Sequence, residues 1–254
     1  MAPDWHGSSA IPRENEVQNN SATSLLGRVA ALAIVSVATL SAQQSYVGRW
    51  DVYGGFANIE RPRINLSEQG FNAQAAFRQK TWLTLGFDYS IAEGRNTVEV
   101  GMLISSLETR IAQQLQALEA AGLVPPGYIL RVPTHLRTQT FQIGPDLPFR
   151  HFQTVTFFVH PNLGAIQAVA TPHPADPIAA TIVAQLTPHG TKTDWTYFYG
   201  FGGGVDFNVT RHFALRFQVD FAHDQIFNDI LQPGNTVRFS VGPAYQWGKN
   251  VARK

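Results

Sequence analysis

The chain has 254 residues, a formal net charge of +1 and only 15% charged residues, against about 25% in soluble domains. That balance gives no electrostatic case for a nucleic-acid partner. With no cysteine anywhere, disulfides, thiol catalysis and cysteine-based zinc sites are excluded.

From the N-terminus, the first patterned stretch is residues 29–40 (VAALAIVSVATL). It is too short for a membrane-spanning helix, which needs about 20 apolar residues. It matches the apolar region of a secretory signal peptide, with a short buried helix as the competing reading. Ser41-Ala42-Gln43 offers a small-residue cleavage site after Ala42, although Leu40 fits the A-x-A rule imperfectly. The polar residues before the run make an unusually long leader, so Val17 or Leu25 is an alternative start. Residues 1–42 are expected to be signal peptide plus a mis-assigned upstream segment, and residues 43–254 the folded domain.

The rest alternates at period two, which puts successive side chains on opposite faces of a sheet. Strands are expected at about 49–59, 71–78, 82–91, 138–145 and 152–170, the last long and less regular. Three more lie between 193 and 248. In the first of these, odd positions from Trp195 to Phe207 are aromatic, Val or Gly, and even positions mostly Thr, Gly and Asp. The pattern returns from Phe213 to Phe221 and from Val237 to Trp247. One face is aromatic and aliphatic; the other carries Arg, Asp, Gln and Gly. In a membrane barrel the first face meets lipid and the second the lumen.

The connections carry a second signal. Those at 79–81, 146–151 and 208–212 are short, while those at 60–70, 92–137, 171–192 and 222–234 are long. In bacterial outer-membrane barrels, short turns are periplasmic and long loops extracellular. The expected fold is all-β: an eight-stranded antiparallel up-and-down transmembrane barrel with short helices in the long extracellular loops. The 92–137 connection holds a capping-box pattern, Ser105 with Glu108, before Leu107, Ile111, Leu115 and Leu118 at helical spacing; Gly122 and Pro125-Pro126 end it. Asp176-Pro177 reads as an N-cap with an N1 proline, opening an apolar run that stops before Pro188. A connection of 46 residues is long enough to fold into a lid or plug.

Candidate site residues are the inward charges Arg78, Asp88, Asp206, Arg216, Asp220 and Arg238. A 222–234 hairpin symmetric about residue 229 puts Asp220 opposite Arg238, and a turn centred on residue 210 puts Arg216 diagonal to Asp206. The plain reading is a salt-bridged structural plug, since small barrels are filled by side chains and unpaired interior charge is costly. The sharper reading is a narrow gated pathway. No metal or cofactor is expected. His173 and His189 in the third loop lack a carboxylate cluster, His223-Asp224 lacks a spaced serine nucleophile, and Gly200–Gly204 lies within a strand and lacks the features of a phosphate loop. Gly48-Arg49-Trp50 resembles the G-x-W signature of soluble lipocalins, a reading that would turn the aromatic face inward.

With the strands placed, the chain resembles the small OmpA/OmpX-type outer-membrane barrels over residues 46–248. The carrying residues are Val52-Tyr53-Gly54-Gly55-Phe56, Tyr199-Gly200-Phe201-Gly202-Gly203-Gly204-Val205-Asp206 and Phe239-Ser240-Val241-Gly242-Pro243-Ala244-Tyr245-Gln246-Trp247. The resemblance implies insertion by the barrel-assembly machinery, with Trp247 as the aromatic end of its signal. Residues 248–254 extend beyond the family pattern, the second-loop helix is longer than the family plan, and anchoring through a following peptidoglycan-binding domain is not expected. The expected role is structural or surface-interacting in the outer membrane, as a monomer with its long loops facing an extracellular partner. A small channel or uptake barrel is the alternative, ahead of a lipocalin-like carrier or a lipid-modifying barrel enzyme.

Overall fold

Period-two alternation folds into eight antiparallel strands that close on themselves. The computed structural model describes residues 44–252; the expected signal peptide and expected cleavage after Ala42 lie outside the described residues. The strands are β1 (Trp50–Arg61), β2 (Leu66–Lys80), β3 (Leu83–Glu99), β4 (Arg131–Phe149), β5 (Val155–Pro172), β6 (Lys192–Asn208), β7 (Phe213–Asp224) and β8 (Gly234–Trp247). Each pairs with the next, and β8 returns to β1, with Trp247 opposite Trp50. Closure leaves no strand edge unpaired.

The distribution of side chains is inverted relative to a soluble sheet. Phe56, Phe71, Phe87, Leu163, Phe201 and Phe217 all point outward and are exposed, while Arg78, Asp88, Asp206, Arg216, Asp220 and Arg238 point inward and are buried. An outward apolar band around a polar interior is the distribution of a transmembrane barrel, and the chain is an outer-membrane barrel of this kind. The lipocalin-like reading is overturned, because it requires the aromatic face inside. Trp50 of the G-x-W triplet lies on the outer surface, edge-on to Phe77.

Two corrections concern the links. The first outer connection is not long: a 3-10 turn at Pro62–Ile64 and a left-handed Asn65 (φ 49°) join β1 to β2 directly. The inward Glu68 and the small Gly70 hide the alternation of the start of β2. The β3–β4 hairpin also runs much further than expected, from Glu99 opposite Arg131 down to Thr84 opposite Asp146. Above the lipid band its outer face changes from Leu85, Phe87 and Ile91 to Glu93, Arg95 and Glu99, so the strand continues where the apolar signal stops.

Two loop helices form, α1 (Ser105–Ala120) and α2 (Pro177–Leu186). The capping box does not: Ile104 is the N-cap residue and makes no side-chain cap. The Ile104 N–H donates instead to the Ile230 carbonyl at 2.9 Å, so a tertiary contact sets where α1 begins. Leu107 and Ile111 are its buried face, and Gly122 at φ 71° follows its end. Asp176 does cap α2, accepting from the Ile178 and Ala179 N–H groups at 2.9 and 2.8 Å. Both helices pack around Leu103, Leu130 and Val132, forming a lid over the extracellular mouth. At the other end the tail folds back, with Val251 N–H donating to the Val47 carbonyl at 2.9 Å and Asn250 Nδ2 to the Ser45 carbonyl at 2.9 Å.

The wall has two gaps in its ladder. Between β4 and β5 pairing stops after Ile143–Leu163 and resumes at Leu147–Val159. Pro145 and Pro161 stand opposite each other in the gap, and neither has an N–H to donate. Between β8 and β1 the ladder skips Gly54 and Gly55, opposite Pro243 and Gly242.

Candidate functional site

The interior is a stack of guanidinium groups, each delivered by one strand and met by carboxylates from an adjacent strand, from across the lumen, or both. Nearest the periplasmic end, Arg78 of β2 reaches Asp51 Oδ2 of β1 at 2.6 Å and Gln246 Oε1 of β8 at 2.6 Å. Next, Arg216 of β7 holds Asp206 of β6 through Nε at 2.7 Å and a terminal nitrogen at 3.0 Å, and Asp51 Oδ1 at 3.0 Å. Its remaining nitrogen donates to Gln74, while Phe158 and Tyr53 place their rings 5.1 and 5.5 Å from its centre. Above it, Arg238 of β8 donates to Asp220 Oδ2 at 2.9 and 2.8 Å and to Asp88 Oδ1 at 2.7 Å. Highest of all, Arg61 pairs with Glu68, and Thr138 donates to Glu68 Oε1 at 2.7 Å.

All six residues chosen from the alternation lie in this stack. Asp220 faces Arg238 across the β7–β8 ladder. Asp206 sits directly opposite Arg216, not diagonal to it, because the β6–β7 register centres on residue 211 instead of 210. The alternation does not single out Asp51, Arg61, Glu68, Asp146 or His160. By its pattern Glu68 falls in the 60–70 connection and Asp146 in the 146–151 turn, and His160 lies in the least regular strand. His160 is buried with Nε2 2.7 Å from Asp220 Oδ1 and Nδ1 3.3 Å from Asp146 Oδ1, directly behind the Pro145–Pro161 gap. The inward glycines of β6 make room for it: a Cβ on Gly202 would collide with Asp220 and His160, and one on Gly204 with the Phe158 ring.

Above the charged stack the lumen turns apolar. Ile64, Leu66, Leu136, Ile166, Phe198 and Phe227 pack together as a second stopper. Where the two zones meet, beside Arg61, Asn162 and Arg238, the free space is about 30 Å³, on the order of one water. Both amide atoms of the buried Asn162 lack a protein partner there. Charge pairing on this scale ties strands together across and around the lumen.

Other candidates do not assemble. His223 hydrogen-bonds Asn235 at 2.9 Å on the outside, whereas Asp224 turns inward to accept from Thr236 at 2.6 Å, so these two side chains face opposite sides of the wall. Among the described residues no group of three or more His, Cys, Asp or Glu side chains could hold a metal ion. In the lid, Asp176 accepts from the Tyr128 hydroxyl at 2.7 Å as well as from the α2 N-terminus. Hydrogen bonds from the Ala179 N–H, Tyr128 and the Ile178 N–H hold its carboxyl below the usual range. Burial, and then that carboxylate, push the Tyr128 phenol up to about 12.

No family model matches the chain, and no curated protein matches it. Solved barrels do. Neisserial surface protein A aligns with a TM-score of 0.46 at 12% identity, over 78% of this chain and 96% of that one. Ail, the attachment invasion locus protein of Yersinia pestis, aligns with 0.44 at 13%, over 79% and 99%. OprG of Pseudomonas aeruginosa aligns with 0.44 at 9%, over 82% and 99%. At these values the likenesses carry no functional argument; the barrel stands on its own ladders.

Proposed function

We propose that this protein is a closed outer-membrane barrel of structural and surface-interacting role. The apolar wall anchors it in the bilayer, and the α1–α2 lid with the neighbouring loops is the surface offered to an extracellular partner. The observation that carries this reading is the doubly stopped lumen: guanidinium–carboxylate layers below, an apolar plug above. Arg78, Asp88, Asp206, Arg216, Asp220 and Arg238 then serve to lock strands, with no catalytic or metal-binding part. The protein works as a monomer, and insertion runs through the barrel-assembly machinery, with the aromatic end of β8 at Trp247 as the recognised feature.

Planar-bilayer recording tests the lock. The wild-type protein is expected to give no steady unitary current. Steady currents whose size changes in Asp220→Ala or Arg238→Ala would refute the closed reading and favour a small channel lined by these charges.

A further inference from the structure

The turns and termini at the short-link end of the barrel carry one sign of charge. Arg49 and Lys249 flank the β8–β1 seam, Lys80 ends β2, Arg150 lies in the β4–β5 turn and Arg211 in the β6–β7 turn. Residues 44–50, 79–82, 149–154, 208–212 and 247–252 contain no Asp or Glu. Among the described residues, every carboxylate lies either in the lumen, as Asp51 and Asp206 do, or at the opposite end, from Glu60 and Glu93 to Asp229. No ion pair among the described residues includes any of these cations. Arg150 turns inward onto neutral acceptors, the Thr81 carbonyl at 3.2 Å and Gln44 Oε1 at 3.1 Å. Lys80, Arg211 and Lys249 are exposed.

The aromatics fix the height of this collar. Trp50 opens β1, Trp247 ends β8 and Trp82 sits in the β2–β3 turn, each exposed on the outside. Outward Trp rings at a barrel rim mark the headgroup level of the bilayer. Lys80 Nζ stands 5.5 Å from the centre of the Trp82 ring, and the Arg49 guanidinium 5.5 Å from that of Phe77. These cations therefore lie on the outer flank of the wall, level with the Trp girdle. A basic side chain at that height favours anionic lipid by about fivefold. We infer that the collar binds anionic phospholipid headgroups in the leaflet where the short turns emerge. The head carries net negative charge because a zwitterionic one brings its own ammonium against the collar's cations. The occupant is lipid, ahead of an anionic wall polymer, because Lys80 and Arg49 rest on rings that face the bilayer.

Spin-label spectroscopy tests this on the full chain in phosphatidylcholine vesicles. A trace of chain-labelled phosphatidylglycerol or phosphatidylcholine reports the fraction of each lipid immobilised at the wall. Phosphatidylglycerol is expected to associate about threefold more strongly than phosphatidylcholine. Lys80→Gln, Arg211→Gln and Lys249→Gln combined should bring that ratio to about one. Arg95→Gln with Arg137→Gln, at the other rim, should leave it unchanged. Heat-modifiable gel migration reports folding, and Lys80→Gln with Lys249→Gln, for which an intermediate ratio is expected, serves if the triple variant fails to insert. The lipid collar is refuted by equal association of both lipids with the wild type, by a full preference in a folded collar variant, or by a preference that disappears with Arg95 and Arg137 instead. Retention of the wild type on isolated peptidoglycan, lost in the triple variant and without any lipid preference, would assign the collar to the cell wall and overturn the lipid reading.

Discussion

Arg238 is the residue on which most of the lumen converges. It satisfies Asp88 and Asp220 at once, and Asp220 in turn receives the His160 ring. Arg238→Met should therefore strand two buried carboxylates and cost about 3–5 kcal/mol, the usual penalty for breaking a buried pair by removing one partner. Urea unfolding followed by heat-modifiable migration measures it; a loss under about 1 kcal/mol would mean these carboxylates are not charged and buried as described. At this scale the sequence was legible wherever an ionisable residue interrupted a run of alternating aromatics, as Asp220 does between Val219 and Phe221. It was silent where the outward row is polar or broken, or where the inward row is itself apolar, as beside Asp51, whose next inward residue is Tyr53. Glu68 sits between Ser67 and Gln69, and His160 is followed by Pro161, so neither stands out from a polar or irregular stretch.

Among the elements, α2 has the most exposed dependence on charge. Its N-terminus and Tyr128 share the two oxygens of Asp176. The Asp176 carboxyl is held below its ordinary value of about 3.9, so its contribution is complete above that pH and is lost as pH falls through the folded value. Tyr128 is raised to about 12, so its contribution is complete below about 10 and fades as pH climbs toward the folded value. The lid is thus expected to be docked across the neutral range and to loosen at both extremes. Protease cleavage within residues 173–191 should rise below about pH 4 and above about pH 10, and Asp176→Asn should remove the acid limb. Helix positions were readable because 3.6-residue spacing and Asp-Pro chemistry are local. The start of α1 was not, because a hydrogen bond to residue 230 outweighs the local Ser105–Glu108 pattern.

For the molecule as a whole, the decisive variable is the medium that meets the aromatic face. Phe217 lies at the centre of the outward row of β7, between Phe213 and Phe221. Phe217→Arg should cost about 2–4 kcal/mol, as charges at the bilayer midplane do in barrels of this kind. Reversible unfolding from lipid vesicles reads it, and an unchanged midpoint would put this face in water. The global architecture could be inferred early because period, strand length and link rhythm agree. The packing at the two ends could not: the tail returns to residues 45–47 and two helices from different loops meet, and neither leaves a periodic trace.

The Pro145–Pro161 gap gives the wall a soft direction. Every other stretch of the β4–β5 seam resists separation through paired backbone groups, and here side-chain packing and the His160–Asp146 contact bear the strain alone. Separating the two strands here therefore breaks fewer backbone hydrogen bonds than elsewhere on the same seam. His160 sits directly behind this line, between Asp146 and Asp220.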